Sequence, residues 1–374
     1  MRDRPSNPSW VELGLHLTDD EWAEYARRQT IAEAGREVRE TAIASDSDAY
    51  GGQWIENLNG GRLVVATTAA PMALLNDLQD LVPDPSDLSV VQVAFSLQEL
   101  TDLQELISER AEQAGVDHAV IVDERNNRVK VVLRQPERVV LSDLPPDAWV
   151  ISDEPLFADA STPSGTHSNP HPGLSIGVLP NTGNRSLGQR CTWGFNANLG
   201  ANYYIVTAGH CADLYATGDK TWTQSDIIQN HSTSGNLITN NGTAYIRDDN
   251  RTDAMRITDN NDADDNCYHT SSSECYTITS RQLLNADQVG DIVCASLGGS
   301  STYKCAELLS LSVTSNGISN LRQWDYGAVG GDSGAGMKHA HQARGLLVQS
   351  NGSTSLYTHI YYVVNRLGVT LNYS

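Results

Sequence analysis

The sequence of 374 residues predicts a small α+β domain followed by an all-β domain. A helical pattern followed by a hairpin pattern occurs twice before residue 135, which predicts the α+β domain. Beyond about residue 174, short apolar runs alternate with turns rich in glycine, asparagine and serine, which predicts a β-barrel or sandwich. All six cysteines lie in this second part.

The first domain begins with a capped helix. Thr18-Asp-Asp-Glu21 matches the capping box, in which a threonine and a glutamate three residues later satisfy free backbone N–H groups. We therefore expect a helix over about residues 19–43, and a second over 97–114 from its helical periodicity. Two hairpins are predicted where pairs of apolar runs bracket turns of asparagine or glycine. These pairs are 53–57 with 62–68, and 118–123 with 128–134.

The two domains are joined by a polar, proline-containing segment, predicted as a linker over residues 159–173. Short apolar runs beyond it are predicted strands, and a helix is expected only near the C-terminus, at about 361–367. The strand candidates are 203–207, 254–257, 291–296, 308–314 and 345–348.

Charge and cysteine content limit the class of function. Residues 1–160 carry 30 acidic and 13 basic side chains, whereas the remainder carries 16 and 12, within a net charge of −21. This acidity argues against a nucleic-acid partner, because phosphates would be repelled. No apolar run is long enough to span a bilayer, so no membrane partner is expected.

An even number of cysteines without a C-x-x-C pair indicates disulfides formed in an oxidising compartment. We predict secretion, although no signal peptide is visible in this chain.

A candidate nucleophile lies in the stretch Val329-Gly-Gly-Asp-Ser-Gly-Ala-Gly-Met337. Its glycines permit a tight turn that could direct the Ser333 hydroxyl and two backbone N–H groups at one point. A serine needs a base, and the best histidine is His210, which follows the apolar run Ile205-Val-Thr-Ala-Gly and precedes Cys211. His231 and His269, and the weak metal pattern of His339 and His341, are interpreted as solvated loop histidines.

The base in turn needs an acid to orient it. Asp253 opens a short alternating apolar run, whereas the other nearby aspartates lie in solvated loops, so Asp253 is the predicted orienting acid. The acidic loop at 259–266 resembles a calcium-binding loop in the spacing Asp262-x-Asp264-x-Asn266. It has Cys267 where a calcium loop needs glycine, and it lacks the distal glutamate. We therefore predict no metal and no cofactor.

Three motifs in the order His, Asp, Ser resemble those of chymotrypsin-fold serine proteases. They are T-A-G-H-C at 207–211, D-A at 253–254 and G-D-S-G at 331–334. C-T-W-G-F-N from Cys191, and the segment from Val293 to Cys305, resemble the bacterial branch, the streptogrisin and alpha-lytic protease group. The resemblance covers the chain from about Leu174 and implies an all-β, double β-barrel domain. The first half resembles the pro region of that group, which assists folding and inhibits the enzyme until it is removed.

The resemblance implies three domains and a set of residue roles. Residues 1–158 would be the α+β pro region, 159–173 the linker with the processing site, and 174–374 the trypsin-like protease domain. Ser333 would be the nucleophile, His210 the general base and Asp253 its orienting partner, with the N–H groups of Gly331 and Ser333 as the oxyanion hole. The family's bridges would pair Cys191 with Cys211 and Cys294 with Cys305, which leaves Cys267 with Cys275.

Some positions depart from the family pattern and leave alternatives open. The family's disulfide beside the serine is absent, and Ala295 replaces an arginine that neutralises the aspartate next to the serine, here Asp332. Arg281, Arg322 or a new N-terminus are alternative partners for it. The substrate-pocket candidates are Gly327, Val348, Gln349 and Ser350.

The sequence therefore predicts a secreted serine endopeptidase made as a zymogen, a hydrolase of peptide bonds. Gly327 at the expected pocket base places no acid there, although Asp325 is near. We therefore expect cleavage after apolar or small residues. Expected partners are protein or peptide substrates and the chain's own pro region, with the protein a monomer. The alternative is a protease-like binding protein without turnover, which the absent arginine and disulfide keep open.

Overall fold

The computed structural model describes residues 17–58, 60–157, 172–179, 189–212, 219–229, 237–259, 267–271, 274–300 and 302–373. The chain divides into two compact units. Unit 1 comprises Met1–Asp153, Asn285–Asp291 and Glu307–Thr314, and unit 2 comprises Glu154–Leu284, Ile292–Ala306 and Ser315–Ser374. Among the helices of the described residues, none has the length and apolar character that crossing a bilayer requires.

In the described residues of unit 1, three α-helices combine with short strands. The helices are α1 (Asp19–Ser45), α2 (Pro71–Leu78) and α3 (Leu97–Gln113), and the strands are β1 (Tyr50–Glu56), β2 (Arg62–Thr67), β3 (Leu88–Gln92), β4 (His118–Asp123), β5 (Arg128–Leu133) and β6 (Trp149–Ile151). Both predicted helices and both predicted hairpins are confirmed. The capping box at the start of α1 is formed, and Ser96 with Glu99 forms a second one before α3. Helix α2 and strands β3 and β6 were not predicted.

Two groups of three paired strands carry the core of unit 1, a three-stranded sheet and the β4-β5-β6 end of a larger sheet. Strand β2 pairs antiparallel with β1 and parallel with β3, while β5 pairs antiparallel with β4 and parallel with β6. Apolar side chains of α1, including Ile31 and Val38, pack on the first sheet. Those of α3, including Leu100 and Ile107, pack on the second. Each helix therefore buries one face on the sheet of its own half of the unit.

Two short segments from later in the sequence also belong to unit 1. The N–H of Ile55 donates to the carbonyl of Val289, at 2.8 Å. The hydroxyl of Ser310 donates to the carbonyl of Val122 at 2.7 Å, and the Ser312 hydroxyl donates to Gln104 Oε1, also at 2.7 Å. Unit 1 is thus assembled from residues that lie far apart in the sequence.

Unit 2 is a β structure with one C-terminal helix, α4 (Ile360–Leu367). Its strands are β7 (Ser175–Leu179), β8 (Gln189–Thr192), β9 (Phe195–Leu199), β10 (Asn202–Thr207), β11 (Lys220–Gln229), β12 (Leu237–Asp249), β13 (Thr252–Asp259), β14 (Cys267–Ser271), β15 (Glu274–Thr277), β16 (Ser280–Arg281), β17 (Ile292–Leu297), β18 (Thr302–Ser315, whose central part belongs to unit 1), β19 (Ile318–Trp324), β20 (Gly336–His339), β21 (Gln342–Ser350), β22 (Ser355–His359) and β23 (Thr370–Leu371).

Two larger sheets organise the strands of unit 2. The first runs in the order β23-β9-β10-β13-β12-β11-β7-β8, and the second contains the order β17-β20-β21-β22-β19. A core cluster that includes Phe195, Val206, Leu346 and Val364 is buried among them. The predicted fold class, an all-β double-barrel domain preceded by a small α+β domain, is confirmed.

Candidate active site

His210 lies at the end of a buried strand of the first sheet. Strand β10 runs into a single helical turn, Gly209–Cys211, which carries the imidazole. Cys211 is bonded to Cys191, and the Thr207 hydroxyl donates to the carbonyl of Thr192 at 2.8 Å. The disulfide and this hydrogen bond hold the turn on its neighbouring strand, so the backbone that carries His210 is fixed.

Asp253 contacts His210 from the adjacent strand, β13. The His210 backbone N–H donates to Asp253 Oδ1 at 2.9 Å, and the ring Nδ1 lies 2.5 Å from Oδ2. The carboxylate is 6% exposed. Burial opposes its ionisation, but the charge of His210 and hydrogen bonds from His210 and from the Gly209 backbone outweigh burial, so the pKa of Asp253 lies below its ordinary value. The carboxylate can therefore orient the ring and stabilise its protonated form.

A glycine beside His210 makes this approach of the carboxylate possible. A Cβ at Gly209 would lie 2.6 Å from Asp253 Oδ1 and 3.1 Å from the backbone nitrogen of Ala254. Any side chain there would push the two segments apart. The glycine of the T-A-G-H-C motif is therefore needed for close packing.

Ser333 lies in a tight turn just before strand β20. Gly331 and Gly334 have φ angles of +93° and +84°, which favour glycine. The Ser333 carbonyl accepts from the Thr192 N–H at 2.7 Å, and the Gly334 N–H donates to the Leu347 carbonyl at 2.7 Å. The serine is fully buried in this structure.

The serine turn packs directly on the segment that leads to His210. A Cβ at Gly334 would lie 1.9 Å from Thr207 Oγ1 and 2.9 Å from the backbone nitrogen of Ala208. Ala208 is two residues before His210 in the sequence. The fold therefore brings the three motifs of the sequence analysis to one place in unit 2.

Asp332 is held by hydrogen bonds, and no cationic side chain of the described residues contacts it. Its carboxylate accepts from the N–H of Ser300 and the N–H of Val329, each at 2.9 Å, and from the Ser300 hydroxyl at 3.3 Å. Burial raises the pKa of Asp332, and these hydrogen bonds oppose the increase. Neither Arg281 nor Arg322 is among its partners. Two of the alternatives left open by the sequence are therefore wrong.

Gly327, the candidate for the pocket base, lies on a loop that contacts the turn after β21. A Cβ at Gly327 would lie 1.9 Å from the Gly352 carbonyl oxygen. The Ser355 hydroxyl accepts from the Ala328 N–H at 2.9 Å. Asp325, the acid nearest this floor in sequence, is exposed.

The wall candidates on β21 differ in character. Val348 is fully buried, and the Ser350 hydroxyl donates to the Thr354 carbonyl at 3.2 Å, which braces the turn that follows. Gln349 is 8% exposed, and its Oε1 is buried without a hydrogen-bond partner. Among the three wall candidates, Gln349 is therefore the one with an unpaired polar atom.

Two of the three predicted disulfides are formed, Cys191–Cys211 and Cys294–Cys305. The third predicted disulfide, Cys267–Cys275, lies outside the described part of the structure because the side chains of both residues are not described. Residues 260–266 of the acidic loop, the calcium candidate, also lie outside it. Among the described residues, one group could geometrically hold a metal, namely His210 with Cys191 and Cys211. Both cysteines are consumed by their disulfide, so this group does not fit a metal ion.

The sequence analysis missed Lys338, which is fully buried on β20 five residues after Ser333. Its Nζ lies 5.1 Å from the ring centroid of Tyr303 and 5.7 Å from that of Tyr268. Burial lowers the pKa of Lys338 to about 7. No local pattern indicates a buried lysine, because the aromatic partners come from distant segments.

Comparison with known proteins gives matches among solved structures only. No family model matches the chain, and no curated protein matches it. Protease A of Thermobifida fusca is 19% identical with a TM-score of 0.41, over 55% of this chain and 98% of that chain. A glutamic-acid-specific serine protease, described as using a histidine triad in substrate binding, is 20% identical with a TM-score of 0.41, over 54% of this chain and 100% of that one.

A third match carries the name of the group that the motifs resemble. Alpha-lytic protease homolog N4 is 19% identical with a TM-score of 0.38, over 54% of this chain and 97% of that chain. The matched structures are thus bacterial serine proteases, and the chain is similar to them over slightly more than half of its length.

Proposed function

We propose that the chain is a serine endopeptidase that hydrolyses peptide bonds through an acyl-enzyme. The observation that carries the proposal is the contact of His210 Nδ1 with the buried Asp253 carboxylate, 2.5 Å away. The segment that carries His210 packs against the turn that carries Ser333. A serine, an oriented histidine and a buried acid are the parts that nucleophilic acyl transfer needs.

In the acylation step, the Ser333 hydroxyl oxygen attacks the scissile carbonyl carbon while His210 Nε2 takes the hydroxyl proton. Asp253 holds the proton on Nδ1 and stabilises the imidazolium that forms. The N–H groups of Gly331 and Ser333 bind the oxyanion of the tetrahedral intermediate. Collapse breaks the C–N bond, and His210 returns its proton to the leaving amine.

In the deacylation step, water attacks the acyl-enzyme and gives its proton to His210 Nε2. The second tetrahedral intermediate breaks the ester bond to Ser333, and the proton returns to the serine oxygen. The products are an amine and a carboxylic acid, and the enzyme is restored without a cofactor.

Cleavage of an unfolded protein substrate tests this proposal. The full chain, produced under oxidising conditions, is incubated with a denatured protein, and new termini are mapped by mass spectrometry. We expect cleavage by the wild type and by the control Ser319→Ala, which removes a hydroxyl bonded to the Asn250 carbonyl. Ser333→Ala should be inactive. An intact substrate in all three reactions would favour a protease-like binding protein.

We further propose that the enzyme is a secreted zymogen whose first 158 residues form a pro region. Support comes from the compactness of unit 1 and from the excess of acidic residues in this part. The two disulfides of unit 2 favour an oxidising compartment, because thiols are kept reduced in the cytosol. Processing would fall in the linker, residues 159–173.

Intact mass of the exported chain tests the zymogen proposal. We expect the wild type to release a fragment that begins near residues 167–176, and Ser333→Ala to stay whole. If both chains stay whole while the wild type still cleaves other substrates, the pro-region assignment is wrong.

For the substrate, we propose cleavage after small or apolar residues. At the expected pocket base, Gly327 packs against the carbonyl of Gly352, which leaves no room for a side chain at position 327. The nearby Asp325 is exposed to solvent. None of the pocket candidates is an acidic residue that could pair with a substrate arginine or lysine. Peptides that vary only in the residue before the scissile bond should therefore be cleaved faster with alanine or leucine than with arginine.

A further inference from the structure

The acidic side chain of Asp332 directly precedes the candidate nucleophile in the sequence. The side chain is fully buried, and among the described residues no arginine or lysine forms an ion pair with it. A buried charge without an opposite charge must be stabilised by hydrogen bonds. Asp332 receives them from the N–H groups of Ser300 and Val329, and from the Ser300 hydroxyl.

Ser300 supplies two of these donors and is the only side chain among them. Its N–H lies 2.9 Å from Oδ1, and its hydroxyl lies 3.3 Å from each carboxylate oxygen. The hydroxyl also lies 3.0 Å from that of Thr302, which restricts its rotation. Ser300 thus binds both oxygens of the carboxylate from one position.

The backbone of Gly299, next to Ser300, packs closely against the peptide groups that would form the oxyanion hole. A Cβ at Gly299 would lie 2.6 Å from the Gly330 carbonyl oxygen, and 2.7 Å from both the carbonyl carbon of Gly331 and the nitrogen of Asp332. No side chain can separate these two segments. A shift of the segment 298–300 would therefore move the peptides that carry the Gly331 and Ser333 N–H groups.

Thr192 forms hydrogen bonds with both of these segments, the one that contains Gly298 and the one that contains Gly331. Its hydroxyl donates to the Gly331 carbonyl at 2.7 Å and accepts from the Gly298 N–H at 3.0 Å. Its backbone N–H donates to the Ser333 carbonyl at 2.7 Å. The carbonyls of Gly331 and Ser333 are therefore bonded to Thr192, and the Asp332 carboxylate is bonded to Ser300 and Val329.

We propose that Ser300 is a positioning residue for the oxyanion hole. By binding Asp332 it fixes the peptides on either side, so that the N–H groups of Gly331 and Ser333 point at the developing oxyanion. The proposal rests on the proposed protease function. Ser300 touches neither substrate nor nucleophile in this role, and it acts through Asp332.

Kinetics of Ser300→Ala test the proposal, with Ser300→Thr as the conservative variant and Ser319→Ala as the matched control. The full chain is used, and active sites are counted by titration with a fluorophosphonate, so that turnover refers to folded enzyme only. A misplaced oxyanion donor weakens the transition state more than the ground state. We expect Ser300→Ala to lower kcat by about tenfold to a hundredfold with little change in KM.

A transition-state mimic gives a readout that a purely structural role would not move. A peptide boronic acid forms a tetrahedral adduct on the serine, and its affinity should fall in Ser300→Ala by the same factor as kcat. Ser300→Thr keeps the hydroxyl and should stay close to wild type. If Ser300→Ala yields too little folded enzyme, Thr192→Val probes the same turn and should give the same selective loss of kcat and boronate affinity.

The outcomes separate this proposal from the proposed function. Equal kcat and boronate affinity in the wild type and Ser300→Ala would overturn the positioning role while the protease function stands. A loss in KM alone would also overturn it. A folded wild type that neither reacts with fluorophosphonate nor cleaves peptides would overturn the protease function, and the positioning role with it.

Discussion

Replacing Lys338 with methionine should stabilise unit 2 near neutral pH and remove the pH dependence that this lysine contributes. Burial lowers the pKa of Lys338 from 10.5 to about 7. A pKa difference of about 3.5 corresponds to about 5 kcal/mol between the two protonation states. The rings of Tyr268 and Tyr303 recover part of the cost of burying the ammonium, about 2 kcal/mol at most.

The direction of the pH dependence follows from which state binds the proton. Between about pH 7 and about pH 10.5 the unfolded chain holds a proton on Lys338 that the folded chain has lost, so stability rises with pH through this window. Below it, both states are protonated and the folded state bears the full cost. Burial and the charge of Arg344 lower the pKa of the adjacent His339 to about 4, so that imidazole stays neutral throughout the window.

Urea unfolding at several pH values measures the effect, in a Ser333→Ala background that prevents self-digestion. At about pH 6 we expect Lys338→Met to be more stable than the parent by about 3 kcal/mol, and the difference to shrink towards about pH 10. Lys304, which lies 5.8 Å from the Tyr326 ring and is only partly buried, provides the control Lys304→Met. A Lys338→Met chain that is less stable at about pH 6, or a difference independent of pH, would refute the reasoning.

Three further predictions concern the active site and its frame. Asp253→Asn should lower kcat by about 10⁴-fold, because the amide favours the wrong tautomer of His210; a peptide-ester assay measures this, and a loss below about tenfold would contradict the assigned role. Gln349→Met should raise the unfolding free energy by about 1 kcal/mol in urea, since it removes a buried acceptor without a partner, and an unchanged KM for peptides would argue against substrate contact. Replacing Cys191 and Cys211 by serine should lower the unfolding free energy by about 3 kcal/mol for a bridge that spans 20 residues, and unchanged stability would show that the bridge is not formed in solution.

Local sequence signals predicted the elements whose causes are local. The box of Thr18 and Glu21 places the start of α1, because both partners lie within one helical turn. The T-A-G-H-C and G-D-S-G motifs likewise encode turns that need glycine at defined places. Strand β3 was missed because its partner β2 runs parallel to it, and such pairing has no hairpin signal in the sequence.

Features that depend on distant contacts could not be predicted in the same way. Ser300, which supplies two of the donors to Asp332, lies 32 residues earlier in the sequence, and the hydroxyl that binds the Gly331 carbonyl comes from Thr192, 139 residues away. The family resemblance implies an arginine at position 295 as the partner of Asp332. Ala295 shows that this arginine is absent, but it does not show what replaces it. Which residues replace a missing charge depends on the packed structure, since several donors can satisfy one buried carboxylate.

The site of covalent modification by a fluorophosphonate tests the central claim most directly. The full chain with its disulfides intact is reacted with the probe and digested, and the modified peptide is sequenced by mass spectrometry. A single adduct on Ser333 that is lost in His210→Ala is the predicted result, because only an activated serine reacts. A folded, disulfide-bonded wild type that gains no adduct, or gains it on another residue, would contradict the account.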